Sequence, residues 1–325
     1  MNGFPNASQL GIKNFSMQIK ISSIIFIANL LTLSACAQVT PTPLSPTPTT
    51  ATVAQTSTPL PALSPTPNPT PTIIPLNLNP QIVTLAKNLS EPDDLLLAPD
   101  GSIYISDVND GTIKQFTRDG QLHLILSALH EPEGMAFLPD GSLIIVEQGI
   151  NQLSRYDFSS DKLTQFLSLK NDTKNLGVDG ILWDGSELVV PDSPNGNILA
   201  VSSDGSTVRQ IASGLARPTG AWMESTGDLL MADENGNAVY RLHRDGTLEK
   251  IIDLSIPDDV IEDSNGNIFI ATLSDNAIHV IIAQTKQDMI LVDGLNSPQG
   301  IIFDMDGNLI VTDSGNHSLL KVVIH

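Results

Sequence analysis

Cysteine is nearly missing from this chain, with one in 325 residues. An internal disulfide and any multi-cysteine metal site are therefore excluded. Aromatic residues make up 4%, too few for a stacking surface that would hold single-stranded nucleic acid. Basic residues are also scarce, 16 against 36 acidic ones, and the net charge is −20 with a pI near 4.4. Phosphate backbones need a basic footprint, so nucleic acid is not an expected partner. The Gly-x-Ser-x-Gly elbow, the His-Glu-x-x-His zinc motif and a phosphate loop do not occur. Hydrophobic residues supply 41% of the chain, which is enough to build a core.

The N-terminal segment reads as an address. Lys13 and Lys20 precede a 13-residue, mostly apolar run from Ile21 to Leu33, and positions 1–35 hold no acid. That run is shorter than the about 20 residues that span a bilayer, but it suits the core of a signal peptide, with Met1 or Met17 as the start. It ends in Leu33-Ser34-Ala35-Cys36, which resembles the lipobox of bacterial lipoproteins. The resemblance implies a signal peptide over 1–35, lipidation of Cys36 and a membrane-anchored protein on the extracytoplasmic side. Residues 37–80 carry no charge, and 12 Pro and 11 Thr fill 23 of the 44 positions. Such a stretch favours extended polyproline conformation and builds no core, so 36–80 reads as a lipidated stalk.

All remaining charge lies in 81–325, where 14 basic residues face 36 acidic ones. This segment repeats internally. Six turns of a Pro-x-Gly kind begin at Pro92, Pro132, Val178, Pro218, Pro257 and Pro298, spaced 40, 46, 40, 39 and 41 residues apart. After each comes an apolar run and a tight turn: Asp100-Gly101, Asp140-Gly141, Asp184-Gly185, Thr226-Gly227, Asn265-Gly266 and Asp306-Gly307. Such pairs accept the positive φ of short hairpins, and a second β-rich run follows each one. Four short strands per period of about 41 residues predict an all-β fold, a six-bladed β-propeller. The last repeat runs out after its third strand, near Leu319–Ile324, and Ile82–Ala86 at the start is expected to supply the missing fourth and close the ring.

The segment Leu309-Ile310-Val311-Thr312-Asp313-Ser314-Gly315-Asn316-His317 resembles an NHL repeat. Pro132-Glu133-Gly134-Met135-Ala136-Phe137 followed by Asp140-Gly141 resembles the blade opening shared by NHL proteins and the senescence-marker-protein/gluconolactonase family. His317 falls where NHL repeats commonly carry histidine, and a packing role is expected for it. Trp183 and Trp222 are expected as wedges between blades.

Propeller geometry gathers the middle residues of the six turns, Asp93, Glu133, Asp179, Thr219, Asp258 and Gln299, at one mouth of the central channel. Converging carboxylates repel unless a cation or raised pKa values relieve them. In the gluconolactonase-like family a divalent metal sits at this mouth. The resemblance implies Asp93, Asp179 and Asp258 as calcium ligands, with Glu133 nearby. Thr219 departs from the asparagine the family carries in the fourth blade. Two functions follow as expectations. One is a surface-displayed binding module, a monomer taking a small molecule, glycan or peptide on this face. The other is a calcium-dependent lactonase or ester hydrolase, in which the metal polarises a carbonyl and Asp258 activates water.

Overall fold

The computed structural model describes residues 75–170 and 176–325. The expected signal peptide, Cys36 and most of the expected stalk lie outside them. The described chain forms six four-stranded antiparallel sheets, the expected all-β six-bladed propeller. Blade 1 holds β2 (Pro92–Leu97), β3 (Ile103–Asp107), β4 (Thr112–Phe116) and β5 (Leu122–Leu126). Blade 2 holds β6 (Pro132–Phe137), β7 (Leu143–Glu147), β8 (Gln152–Asp157) and β9 (Lys162–Ser168). Blade 3 holds β10 (Leu182–Trp183), β11 (Glu187–Asp192), β12 (Asn197–Ser202) and β13 (Val208–Ser213). Blade 4 holds β14 (Pro218–Met223), β15 (Leu229–Asp233), β16 (Ala238–Leu242) and β17 (Leu248–Asp253). Blade 5 holds β18 (Pro257–Glu262), β19 (Ile268–Thr272), β20 (Ala277–Ile281) and β21 (Asp288–Val292). Blade 6 holds β22 (Pro298–Phe303), β23 (Leu309–Asp313) and β24 (Ser318–Val323). Its fourth strand is β1 (Gln81–Lys87), paired antiparallel with β24 from Gln81–Val323 to Lys87–Ser318. The ring is thus closed by the first strand of the domain, which covers the edge that β24 would otherwise expose.

The turns follow the sequence signals. Gly101, Gly141, Gly185, Gly227, Gly266 and Gly307 all have φ between +80° and +99°, which a β-carbon would strain. The second strands β3, β7, β15, β19 and β23 are buried along their whole length, because each lies between two neighbouring blades. The core is accordingly divided among the blade interfaces. Ile261 and Phe269 of blade 5 pack with Ile301 and Leu309 of blade 6, and Leu95 and Ile105 of blade 1 pack with Ile310 and Leu319 of blade 6.

Two features position the channel. The pairing of first to second strand slips by one residue just after the proline in blades 1, 2, 4, 5 and 6, as between Pro92 and Leu95. A bulge of this kind leaves the intervening residues out of the ladder and re-aims their side chains. The acids that end the second strands then brace the turns. Asp107 accepts from Ser90 N and Glu91 N at 2.8 and 2.7 Å, Asp233 from Arg217 N at 2.7 Å, and Asp313 from Asn296 N at 2.7 Å. In blade 3, where valine replaces the proline, the inner strand shrinks to Leu182–Trp183. Asn151 Oδ1 holds Val178 N there at 2.8 Å.

Candidate functional site at the channel mouth

The bulged turns of five blades carry Asp93, Glu133, Thr219, Asp258 and Gln299, and the unbulged turn of blade 3 adds Asp179, all close enough around one end of the channel to interact. The backbone around them is tied blade to blade. Gly134 N donates to Asp179 O at 3.1 Å, Thr219 Oγ1 to Asp258 O at 2.7 Å, and Thr312 Oγ1 to Asp93 O at 2.6 Å. Thr219 is fully buried, and its hydroxyl is spent on this scaffold.

The four acids feel one another. Burial, then Asp179, pushes Asp93 up to about 8, and Asp93 hydrogen-bonds Glu133. Glu133 is itself raised well above the carboxylate range by burial and by Asp93. Two carboxyl groups in contact, one carrying the proton, account for both directions. Burial and then Asp93 also raise Asp258. With its amide nitrogen turned inward, Gln299 donates to both oxygens of Asp258 at 3.3 and 3.0 Å. Asp179 is raised only to about 6, by burial, because Arg217 acts against the shift.

Arg217 was not among the residues singled out from the sequence. It precedes Pro218 at the start of β14, and its side chain is 9% exposed. Nη2 bonds Asp179 Oδ2 at 2.6 Å, Nε bonds Glu234 Oε2, and Nη1 is buried with no hydrogen-bond partner. Gln148 adds a further donor to Asp179 Oδ2 at 3.2 Å. The third blade's acid is therefore held by a fixed cation from the fourth.

The oxygen-rich set suits a hard cation such as calcium, which takes six to eight oxygen ligands. The arrangement itself is not a ready cage: among the described residues, no three His, Cys, Asp or Glu side chains are disposed to hold a metal ion. Asp179 is already paired with Arg217, and Asp93 with Glu133. The acidic segment Asp304-Met305-Asp306-Gly307-Asn308 is a hairpin turn held by its own side chain. Asp304 Oδ1 accepts from Asp306 N and Asn308 N at 2.9 Å each. His317 departs from the packing role expected of it. It is exposed with φ +57°, and its Nδ1 meets Ser90 O at 2.6 Å, linking blade 6 to blade 1.

Residues 295–322 match the NHL repeat. That stretch runs from just before β22 into β24, so it is a single blade of the six. No curated protein matches the sequence. Among solved structures, the fold is similar to XC5397 from Xanthomonas campestris, described as a gluconolactonase. The TM-score is 0.65 at 15% identity over 76% of this chain and 90% of that one. Regucalcin from Agrobacterium tumefaciens, described as a calcium-binding protein, gives 0.63 at 14% identity over 74% and 93%. Virginiamycin B lyase from Staphylococcus aureus gives 0.59 at 14% over 76% and 99%. At such identities the likeness is one of fold, which proteins described as a gluconolactonase, a lyase and a calcium-binding protein share.

Proposed function

We propose that this protein is a membrane-anchored, extracytoplasmic propeller lipoprotein that binds a ligand on its channel-mouth face. The observation that carries the reading is the mixed polar surface there. Carboxyl groups of Asp93, Glu133 and Asp258 stand beside the amide of Gln299 and the guanidinium of Arg217, whose Nη1 has no protein partner. A buried donor without a partner costs about 1–3 kcal/mol, which a ligand oxygen would recover if binding shifts the Arg217 side chain toward the mouth. Donors and acceptors this close together suit a glycan, a peptide or a polyhydroxylated small molecule.

A second reading, a calcium-dependent lactonase or ester hydrolase, is supported by the fold shared with XC5397 and regucalcin. In that case Asp93, Glu133 and Asp258 would hold the cation, with Asp179 joining only on release from Arg217. The metal would supply Lewis-acid polarisation of the carbonyl. Asp258, whose pKa is raised, would take a proton from the attacking water.

The two readings separate on one preparation of the full chain, assayed with and without calcium and chelator. The binding reading expects calorimetric heats with soluble oligosaccharides or short peptides, weakened at least about tenfold by Asp258→Asn. Chelator-sensitive turnover of a lactone panel, lost in Asp258→Asn, would replace it with the hydrolase.

A further inference from the structure

Beyond its acidic mouth the channel has a second chamber, opening on the opposite face of the ring. The inner strands run from the mouth toward that face, and their far ends enclose a cavity of about 580 Å³. Its wall is built from Met135, Phe137, Trp183, Trp222, Phe303 and Met305. Trp222 stands edge-on to Phe303, with ring centroids 6.3 Å apart. Volumes of roughly 300–1,000 Å³ with apolar walls and a few convergent polar groups are typical of small-molecule sites. Trp183 and Trp222 thus line a chamber as well as packing between blades.

The polar groups sit at the chamber's deep end, and their placement there is selective. The third residue of the channel turn is glycine in four blades. A β-carbon would lie 2.7 Å from Ile181 N at Gly134, 2.4 Å from Thr219 O at Gly180, 2.4 Å from Asp259 Oδ1 at Gly220 and 2.6 Å from Asp93 O at Gly300. Blades 1 and 5 put Asp94 and Asp259 in that place, and both line the cavity. Asp259 accepts one backbone N–H on each oxygen, Val260 N at 2.8 Å and Ile301 N at 2.9 Å, which leaves each oxygen a free lone pair. Among the described residues, neither carboxyl group has an ion-pair partner. Arg217 is committed to Asp179 and Glu234, and Lys321 to Asp304 on the rim, at 2.6 Å.

We propose that this chamber is a second binding site, taking an apolar, aromatic-bearing small molecule whose single ammonium group meets Asp94 and Asp259. The aromatic wall accepts the body of such a ligand, and an ammonium supplies the charge and donors that the two carboxyl groups lack. The site lies below the ring of turn residues, and Asp94 and Asp259 adjoin the mouth acids Asp93 and Asp258 in the chain.

Trp183 and Trp222 are the only tryptophans of the chain, so its intrinsic fluorescence reports on this chamber. The full-length protein is titrated with 3,3-diphenylpropylamine, with the matching alcohol and with the matching carboxylate. The amine should give a saturable change and bind about tenfold or more tighter than the alcohol, with the carboxylate weakest. Asp94→Asn and Asp259→Asn should reduce that preference to near unity while circular dichroism and melting confirm the fold. Asp253→Asn, on an exposed outer strand, should leave it unchanged. Equal binding of amine and alcohol to the wild type would overturn the proposal. So would a preference that survives both substitutions in the chamber, or one lost in Asp253→Asn alone. A Leu96→Arg variant, placing a cation on the chamber wall, should abolish amine binding, and retained binding there also overturns it.

Discussion

Arg217 shows how one side chain sets the electrostatics of the mouth. It faces Asp179 from the neighbouring blade and Glu234 from its own, and burial of the guanidinium is outweighed by these two acids, so its pKa is raised. Removing one member of a buried pair costs about 3–5 kcal/mol when the other charge is stranded. Arg217→Met should therefore lower the melting temperature by roughly 6–20 °C for a domain of this size. The drop should be smaller at pH 5 than at pH 8, because Asp179 without its arginine escapes the penalty by protonating. Scanning calorimetry at both pH values checks this, and equal melting of mutant and wild type would deny the pair a structural role. The other acids give the opposite sign to the usual carboxylate. Asp93 is raised to about 8 and Asp259 to about 7, in each case by burial first. The folded state then holds protons that the unfolded chain has released above its value of 3.8. Their stabilising contribution is complete below that value and is lost as pH rises through about 8. In chelator, the melting temperature should fall steadily between pH 5 and pH 8, and Asp93→Asn should flatten the slope. A melting temperature that rises over this range would contradict the buried-acid arrangement.

At the level of elements, closure rests on β1. Its pairing with β24 runs over six residue pairs. His317 to Ser90 O and Thr312 to Asp93 O add links between blades 6 and 1. Deleting Gln81–Ala86 exposes the edge of β24 and uncovers Leu319 and Leu320, buried at 0% and 6%. The shortened protein should aggregate or melt early, whereas deleting residues 40–72 should leave melting unchanged. Equal transitions for the two deletions would refute closure by β1. The blades were legible in the sequence because each is punctuated locally: Asp-Gly or Asn-Gly turns fix the hairpins, and the Pro-x-Gly turns mark the channel. The channel's charges were legible for the same reason, since their position follows from the period. Arg217 was not, because its partner Asp179 is 38 residues away in another blade. Only the closed ring brings them together. The bulge after each proline and the chamber beneath the mouth are likewise properties of assembled strands, carrying no local motif.

On the scale of the whole molecule, the proposed anchor and stalk decide where the channel works. The propeller segment is strongly acidic, with 36 acidic residues in 81–325 against 14 basic ones, and a bilayer surface bearing anionic lipids would repel it. Attachment by charge alone is therefore excluded for this segment, and the proposed route is lipid on Cys36. Forty-four uncharged, Pro/Thr-rich residues follow. At about 3.1 Å per residue they reach on the order of 130 Å when extended, far beyond a screening length of about 8 Å. In the proposed arrangement, a stalk extended in this way would hold the acidic mouth clear of the membrane's field. A single acyl chain holds only marginally, so stable attachment needs more than one. Cys36→Ser should release the protein into the soluble fraction or leave the uncleaved precursor, read by fractionation and intact mass. Deleting residues 40–72 in the wild-type background should keep it membrane-bound while making capture of bulky ligands at the mouth salt-sensitive. A Cys36→Ser protein that remains in the membrane fraction at wild-type mass would remove the anchor.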